Sequence, residues 1–263
     1  MPISPAATTA SPPTSASARV ALVTGAARGI GRSIALTLAE DGLDVILVDV
    51  LREQADDVAA AIEALGRRAL VVQADVADAA QVENAVQQGV AAFGRLDIAV
   101  ANAARSIRKP FIDLSWDDTW ATFSVTLFGV WHTLQAAARQ MVRQGQGGKL
   151  VVISSVMSEL PTPTSTAYNA AKAAVNELAY TLANELAPHR INVNTVQPGW
   201  IDTPGERAFA SEEEIQAGGQ GIPWGRLGRP EEIARAVRYL VSPDADYITG
   251  ASLRVDGGII MVR

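Results

Sequence analysis

The chain contains no cysteine in 263 residues, which excludes disulfides, thiolate nucleophiles and cysteine-ligated zinc. Histidine is nearly as scarce. His132 and His189 are the two in the sequence, too few for a multi-histidine metal site, so each reads as a surface or packing residue and no metal is expected. Basic residues are outnumbered: 22 Lys and Arg against 28 Asp and Glu give a formal net charge of −6 and a pI of about 5.0. That is the wrong sign for a general binder of nucleic acid or of anionic membranes. No apolar window approaches the length of a membrane-spanning helix. Residues 1–18, "MPISPAATTASPPTSASA", have no charged side chain. They lack the basic start and continuous apolar stretch of a secretory signal and the arginines of a mitochondrial presequence. They read as a disordered extension, and the protein is expected to be cytoplasmic.

What is present is ordinary globular material, 48% hydrophobic and 19% charged, in a length that suits one large α/β domain. From Arg19 onward, short apolar runs alternate with helical patterns. The runs are "RVALVT", "DVILVD", "RALVVQAD", "LDIAVANA", "KLVVISS", "INVNTVQPG" and "SLRVDGG". Alanine-rich segments such as "EQADDVAAAIEALG" lie between them, with apolar positions three or four apart. Strands apolar on both faces and separated by helices predict a parallel sheet covered on both sides. Right-handed crossovers then favour a doubly wound Rossmann sheet of about seven strands, in a single domain over 19–263.

"VTGAARGIGRSIALTLAE" ends the first strand and opens the first helix. Gly25, Gly29 and Gly31 permit a tight turn and a close backbone approach to a ligand. The helix beginning near Ile30 offers free N–H groups and a positive dipole end to a pyrophosphate. Because this turn lies between a predicted strand and a predicted helix, it reads as a dinucleotide site. Asp49 ends the second strand. A carboxylate there accepts hydrogen bonds from both hydroxyls of an adenosine ribose and repels a 2′-phosphate, which favours NAD over NADP. Arg28 and Arg52 pull the other way. Asp75 and Val76 are placed to flank the adenine, although Asp75 and Asp78 also suit a helix cap.

Together "TGAARGIG", "ADV", the "NA" of "ANAA", "ISS", "YNAAK", "PGWIDT" and "YITGASLRVDGG" resemble the short-chain dehydrogenases/reductases, over the chain from about Arg19 to its end. "SSVMSELPTP" and "PGWIDTPGERAF…IPWGRLGRPEEI" look most like the sugar 1-dehydrogenase branch, the glucose 1-dehydrogenases in particular. The stretch "SSVMSELPTPTSTAYNAAK" then reads as an active site. Tyr168 and Lys172 stand four apart on a predicted helix and share one face. A free tyrosine has a pKa near 10; a neighbouring ammonium and the positive ring of bound NAD would lower it. Ser155, near the end of the fifth strand, would hold the substrate oxygen while Tyr168 moves the proton.

The resemblance implies the same catalytic trio. It further implies that Lys172 holds the nicotinamide ribose, that Asn102 lines the cofactor, and that Pro198, Gly199, Ile201 and Thr203 of "PGWIDT" border the nicotinamide. Three positions depart from the family pattern: Thr126 stands where an asparagine completes the catalytic set, and Ala101 and Ala104 replace the asparagine and glycine of "NNAG". Arg105, Arg108 and Lys109 form a cationic loop that suggests an acidic or sulfonated sugar. The glycine-rich, acidic stretch 204–225 has little periodicity and reads as a substrate lid. Glu159 and Trp200 are pocket candidates without an assignable place.

The expected activity is NAD-dependent oxidation of an aldose at C1 or of another secondary alcohol. The rivals are a carbonyl or 3-oxoacyl reductase using NAD(P)H and a non-catalytic NAD sensor. The family resemblance and the apolar "GGIIMV" tail point to a homotetramer.

Overall fold

The computed structural model describes residues 18–262, so the extension expected over 1–18 lies, but for Ala18, outside the described residues. Each predicted strand run is a strand: β1 (Val20–Thr24), β2 (Asp44–Asp49), β3 (Ala69–Gln73), β4 (Ile98–Ala101), β5 (Gly148–Ile153), β6 (Ile191–Pro198) and β7 (Ser252–Val255). They form one parallel sheet in the order β3-β2-β1-β4-β5-β6-β7. The helices are α1 (Gly29–Glu40), α2 (Arg52–Ala64), α3 (Ala79–Phe93), α4 (Trp116–Phe123), α5 (Gly129–Gln144), α6 (Thr166–Leu186), α7 (Glu212–Gln220) and α8 (Pro230–Val241).

Side chains alternate across a strand, and here both faces are apolar. Val20 and Leu22 of β1, with Ile46 and Val48 of β2, pack against Val86 of α3, Leu134 and Met141 of α5 and Val175 of α6. Ala21, Val23, Val45 and Leu47, the residues between them, pack against Ile34 and Leu38 of α1, Ile62 of α2 and Ile233 and Val237 of α8. This double burial is why each strand reads as an unbroken apolar run. Chain order reverses between β1 and β4, so the loops leaving their carboxyl ends diverge and open a crevice.

Three details add to the sequence reading or differ from it. β3 and β5 each stop two residues before the predicted ends at Asp75 and Ser155, because the backbone turns there to enter the crevice. Between α4 and α5 the chain makes a π turn at Ser124–Phe128, with the wholly buried Thr126 inside it. Such turns frequently mark functional sites. The lid stretch holds α7: Ser211 caps it by accepting from the Glu214 N–H, while the Glu214 carboxylate accepts from the Ser211 N–H. That capping box was the readable signal for a helix in "SEEE".

Candidate active site

The crevice is a cavity of about 730 Å³. It is lined by every residue singled out above as catalytic or cofactor-binding, from Gly25 through Thr203. At the β1 end, Arg28 precedes α1 in extended conformation without a side-chain cap, so the first N–H groups of the helix remain open to a ligand. A Cβ on Gly31 would collide with the Gly25 carbonyl oxygen and with the Asn102 amide, which fixes glycine there. Asn102 donates from Nδ2 to the carbonyls of Thr24 (2.9 Å) and Gly25 (3.2 Å); its amide clamps the glycine turn against β4. Thr203 lies beside Gly29. Asp49 is buried and accepts from the N–H groups of Ala27 (2.9 Å) and Leu51 (3.0 Å), one on each oxygen. A second lone pair remains on each oxygen. Asp75 and Val76 line the cavity, while helix capping falls to Asp78, which accepts from Ala80 and Gln81. His132 bonds the Val76 carbonyl through Nδ1 at 2.9 Å, a packing contact between α5 and this turn.

At the other end, β5 and α6 bring Ser155, Tyr168 and Lys172 together. Lys172 is 1% exposed, donates to the Ile153 carbonyl at 2.6 Å, and sets its Nζ 5.5 Å from the Tyr168 ring centroid. Burial lowers its pKa to about 7. Burial also pushes the Tyr168 phenol up to about 12; a hydrogen bond with Ser155 offsets part of the rise, the Glu206 charge adds to it and the Arg108 charge opposes it. In the cofactor-free protein burial thus outweighs the neighbouring lysine, so the fall expected with both the ammonium and bound NAD is not reached by the lysine's share alone. Without a further positive charge, removal from water dominates over Lys172, itself at the edge of neutrality.

The Ser155 turn is braced from below. Ser158 donates to the Ser155 carbonyl at 2.7 Å and accepts from Asn176 (2.9 Å) and Gln197 (3.2 Å). Glu159 does not line the cavity; it accepts from Gln197 at 2.8 Å and pairs with Arg254 at 2.7 Å. Asn176 is two turns along α6 from Tyr168, so the helix carrying the phenol also holds the turn carrying the serine.

A family model described as "Enoyl-(Acyl carrier protein) reductase" matches residues 25–260. L-rhamnose 1-dehydrogenase (NAD(P)(+)) of Sphingomonas sp. (strain SKA58) is 40% identical over 243 residues, 92% of this chain and 96% of that protein. The chain belongs to the short-chain dehydrogenase/reductase family. Among solved structures, a short-chain type dehydrogenase/reductase from Mycobacterium marinum superposes with TM-score 0.89 at 36% identity, covering 92% of this chain and 96% of that one. Acetoin dehydrogenase from Enterobacter cloacae gives TM-score 0.86 at 39% identity, covering 95% and 98%.

As a short-chain dehydrogenase/reductase the protein uses a nicotinamide cofactor, and the cavity suits one. The uncapped start of α1, the buried Asp49 and the Ser155–Tyr168–Lys172 cluster all border this one space. The family's asparagine is replaced by Thr126. Its hydroxyl donates to the Arg105 carbonyl (2.7 Å) and accepts from the Arg105 N–H (2.9 Å). Both bonds secure the loop after β4, and the Lys172 ammonium turns to Ile153 instead. Ala101 is buried within β4, and Ala104 lines the cavity.

Within 204–225, the stretch expected as a lid, two side chains not singled out above reach the crevice. Glu206 and Phe209 line the cavity. Trp200 donates from Nε1 to Glu206 Oε2 at 3.0 Å, and Arg108 pairs with the same oxygen at 3.5 Å while stacking 4.1 Å from the Phe209 ring centroid. Gly218 of α7 sits directly on the Trp200 ring, where a Cβ would overlap it. Ile259 of the tail is buried with Val156, Ile222 and Trp200. "GERAF" carries no periodicity that could have shown these contacts. Among the described residues no cluster of three His, Asp or Glu is arranged to hold a metal, and no helix is long and apolar enough to cross a membrane.

Proposed function

We propose that the protein is an NAD-dependent dehydrogenase of a neutral hydroxylated small molecule, an aldose oxidised at C1 to its lactone or another secondary alcohol. The observation that carries this reading is one cavity bordered by Asp49 at one end and by Ser155, Tyr168 and Lys172 at the other. A nicotinamide cofactor, when bound, supplies the hydride acceptor for the substrate C–H. The chain's own part is acid–base and positional. Ser155 holds the substrate oxygen, Tyr168 takes its proton, and Lys172 holds the ribose side and stabilises the phenolate. Arg28, Gly29, Ile30 and Gly31 cradle the phosphates, Asp75 and Val76 flank the base, and Pro198, Gly199, Ile201 and Thr203 border the nicotinamide. Residues 204–225 form the lid.

A neutral substrate is favoured because Arg108 is paired with Glu206 and Lys109 with Asp118 at 2.6 Å. The basis for an anionic sugar is thereby weakened. Two of the similar proteins are named for uncharged compounds, one for rhamnose and one for acetoin. A homotetramer is supported by three tryptophans on the outer face of α4 and α5, Trp116, Trp120 and Trp131, at 75%, 53% and 47% exposure, and by the exposed Met261 in the tail.

The test is NADH or NADPH formation over a panel of aldoses, vicinal diols and simple alcohols. Turnover with uncharged polyols and NAD is expected; NAD binding without turnover of any alcohol would turn the reading to a sensor. Asp49 gives a separate prediction. Asp49→Asn removes the charge that repels a 2′-phosphate, so the ratio of kcat/KM with NADP to that with NAD should rise about tenfold or more, equivalent to about 1.4 kcal/mol. An unchanged ratio would show that Arg28 and Arg52, not Asp49, set the preference.

A further inference from the structure

We propose that Glu206 is the specificity-determining residue of this site, accepting a hydrogen bond from a hydroxyl on the carbon next to the reacting carbon and so selecting vicinal diols and aldoses over lone alcohols. The inference deepens the dehydrogenase reading above and rests on it.

Four observations support it. Glu206 lines the same cavity as Ser155 and Tyr168. The Glu206 charge raises the Tyr168 pKa and the Arg108 charge lowers it, so both groups lie within electrostatic reach of the phenol. Trp200 donates to Oε2, and the closest approach of Arg108 is to that same oxygen. Among the described residues no hydrogen bond reaches Oε1.

An ionised carboxylate accepts and never donates. Its open oxygen therefore calls for a donor on the ligand, and a substrate hydroxyl supplies one where an apolar carbon or a second anion does not. A site that must hydrogen-bond a substrate hydroxyl discriminates strongly against the analogue lacking it, because the polar group is then left unpaired. Trp200 and Arg108 fix the carboxylate in place, and Arg108 balances its charge, so the wall is neutral as a whole while still presenting an acceptor. At 23% side-chain exposure, Glu206 is open enough for a ligand to reach.

The test uses matched substrate pairs with NAD: 2,3-butanediol against 2-butanol, and an aldose against its 2-deoxy counterpart. Wild type should favour the vicinal member by about a hundredfold or more in kcat/KM. Glu206→Ala should collapse that ratio to within about threefold, mainly through KM for the diol. Because Glu206 also anchors the lid, Trp200→Phe serves as the companion variant. It removes the indole donor but keeps the carboxylate, and it should retain the preference for the vicinal member whatever happens to absolute rates. Equal losses on both members in Glu206→Ala, or a preference that survives it, would overturn the proposal while leaving the dehydrogenase reading intact. Absence of turnover on any member of either pair would overturn both.

Discussion

Tyr168→Phe is expected to lower kcat about a thousandfold in either direction, while NADH affinity, read by fluorescence titration, changes far less. The substitution removes one oxygen and keeps the ring, so packing against Lys172, whose Nζ is 5.5 Å from the ring centroid, is preserved. General acid–base catalysis by a placed group contributes about 10²–10⁴-fold, and the variant forfeits all of it. The pH profile carries a sharper signature. In the cofactor-free protein the phenol sits at about 12, so near pH 8 only about one molecule in ten thousand would hold a phenolate. Oxidation needs the phenolate as base, and hence its rate must rise with pH. Reduction needs the phenol as acid, so its rate must fall once the phenol ionises. Because Lys172 at about 7 is only partly charged there, most of the pull on the phenol would come from the positive ring of an oxidised nicotinamide in the loaded enzyme. Wild type should show the rising limb for alcohol oxidation well below pH 12, and Tyr168→Phe should lose it. Full oxidation rates in the variant, or an unaltered rising limb, would remove Tyr168 from the chemistry.

How much of this could be read in the sequence depended on how local the determining physics was. Strands buried on both faces must be apolar at every position, so the sheet was plain from runs such as "DVILVD" and "KLVVIS". The glycine turn was equally legible, since only glycine fits at Gly31 under the Gly25 carbonyl and the Asn102 amide. The meeting of Ser155, Tyr168 and Lys172 was legible because their spacing is fixed by one strand end and one helix. The lid was not. Glu206, Trp200, Arg108 and Phe209 meet across two loops nearly a hundred residues apart, and no periodicity ties such residues together. The three cations after β4 looked like an anion site because sequence shows charges without their partners; Glu206 and Asp118 engage two of them. The raised pKa of Tyr168 in the cofactor-free protein is hidden from the sequence for a related reason. Neighbouring charge is visible in the motif, whereas desolvation depends on everything packed around it.

Desolvation also sets the second large effect. Lys172→Met should abolish most turnover, by about a hundredfold or more, and at the same time stabilise the cofactor-free protein in acid and neutral solution. Lys172 is 1% exposed, with one hydrogen bond, to the Ile153 carbonyl. Its pKa falls from 10.5 to about 7, with burial as the cause. Below pH 7 both folded and unfolded chains carry the proton, and the cost of burying an ammonium is at its full value. Between pH 7 and 10.5 the unfolded chain binds a proton that the folded chain has released, so wild-type stability climbs with pH. Above that range the cost has vanished. Methionine keeps most of the volume of the stem and carries no charge, so its stability follows neither limb. The melting temperature of Lys172→Met should therefore exceed that of wild type by about 5 °C at pH 6, a gain of about 2 kcal/mol at this chain length after allowing for the lost hydrogen bond. The gap should close by about pH 10. Melting curves at the two pH values decide the matter: a variant less stable than wild type by the same margin at both would mean that the Ile153 bond, rather than the buried charge, governs this position. The opposite outcome would identify a residue that folding disfavours and that the site retains for its chemistry, the pattern expected where activity and stability compete.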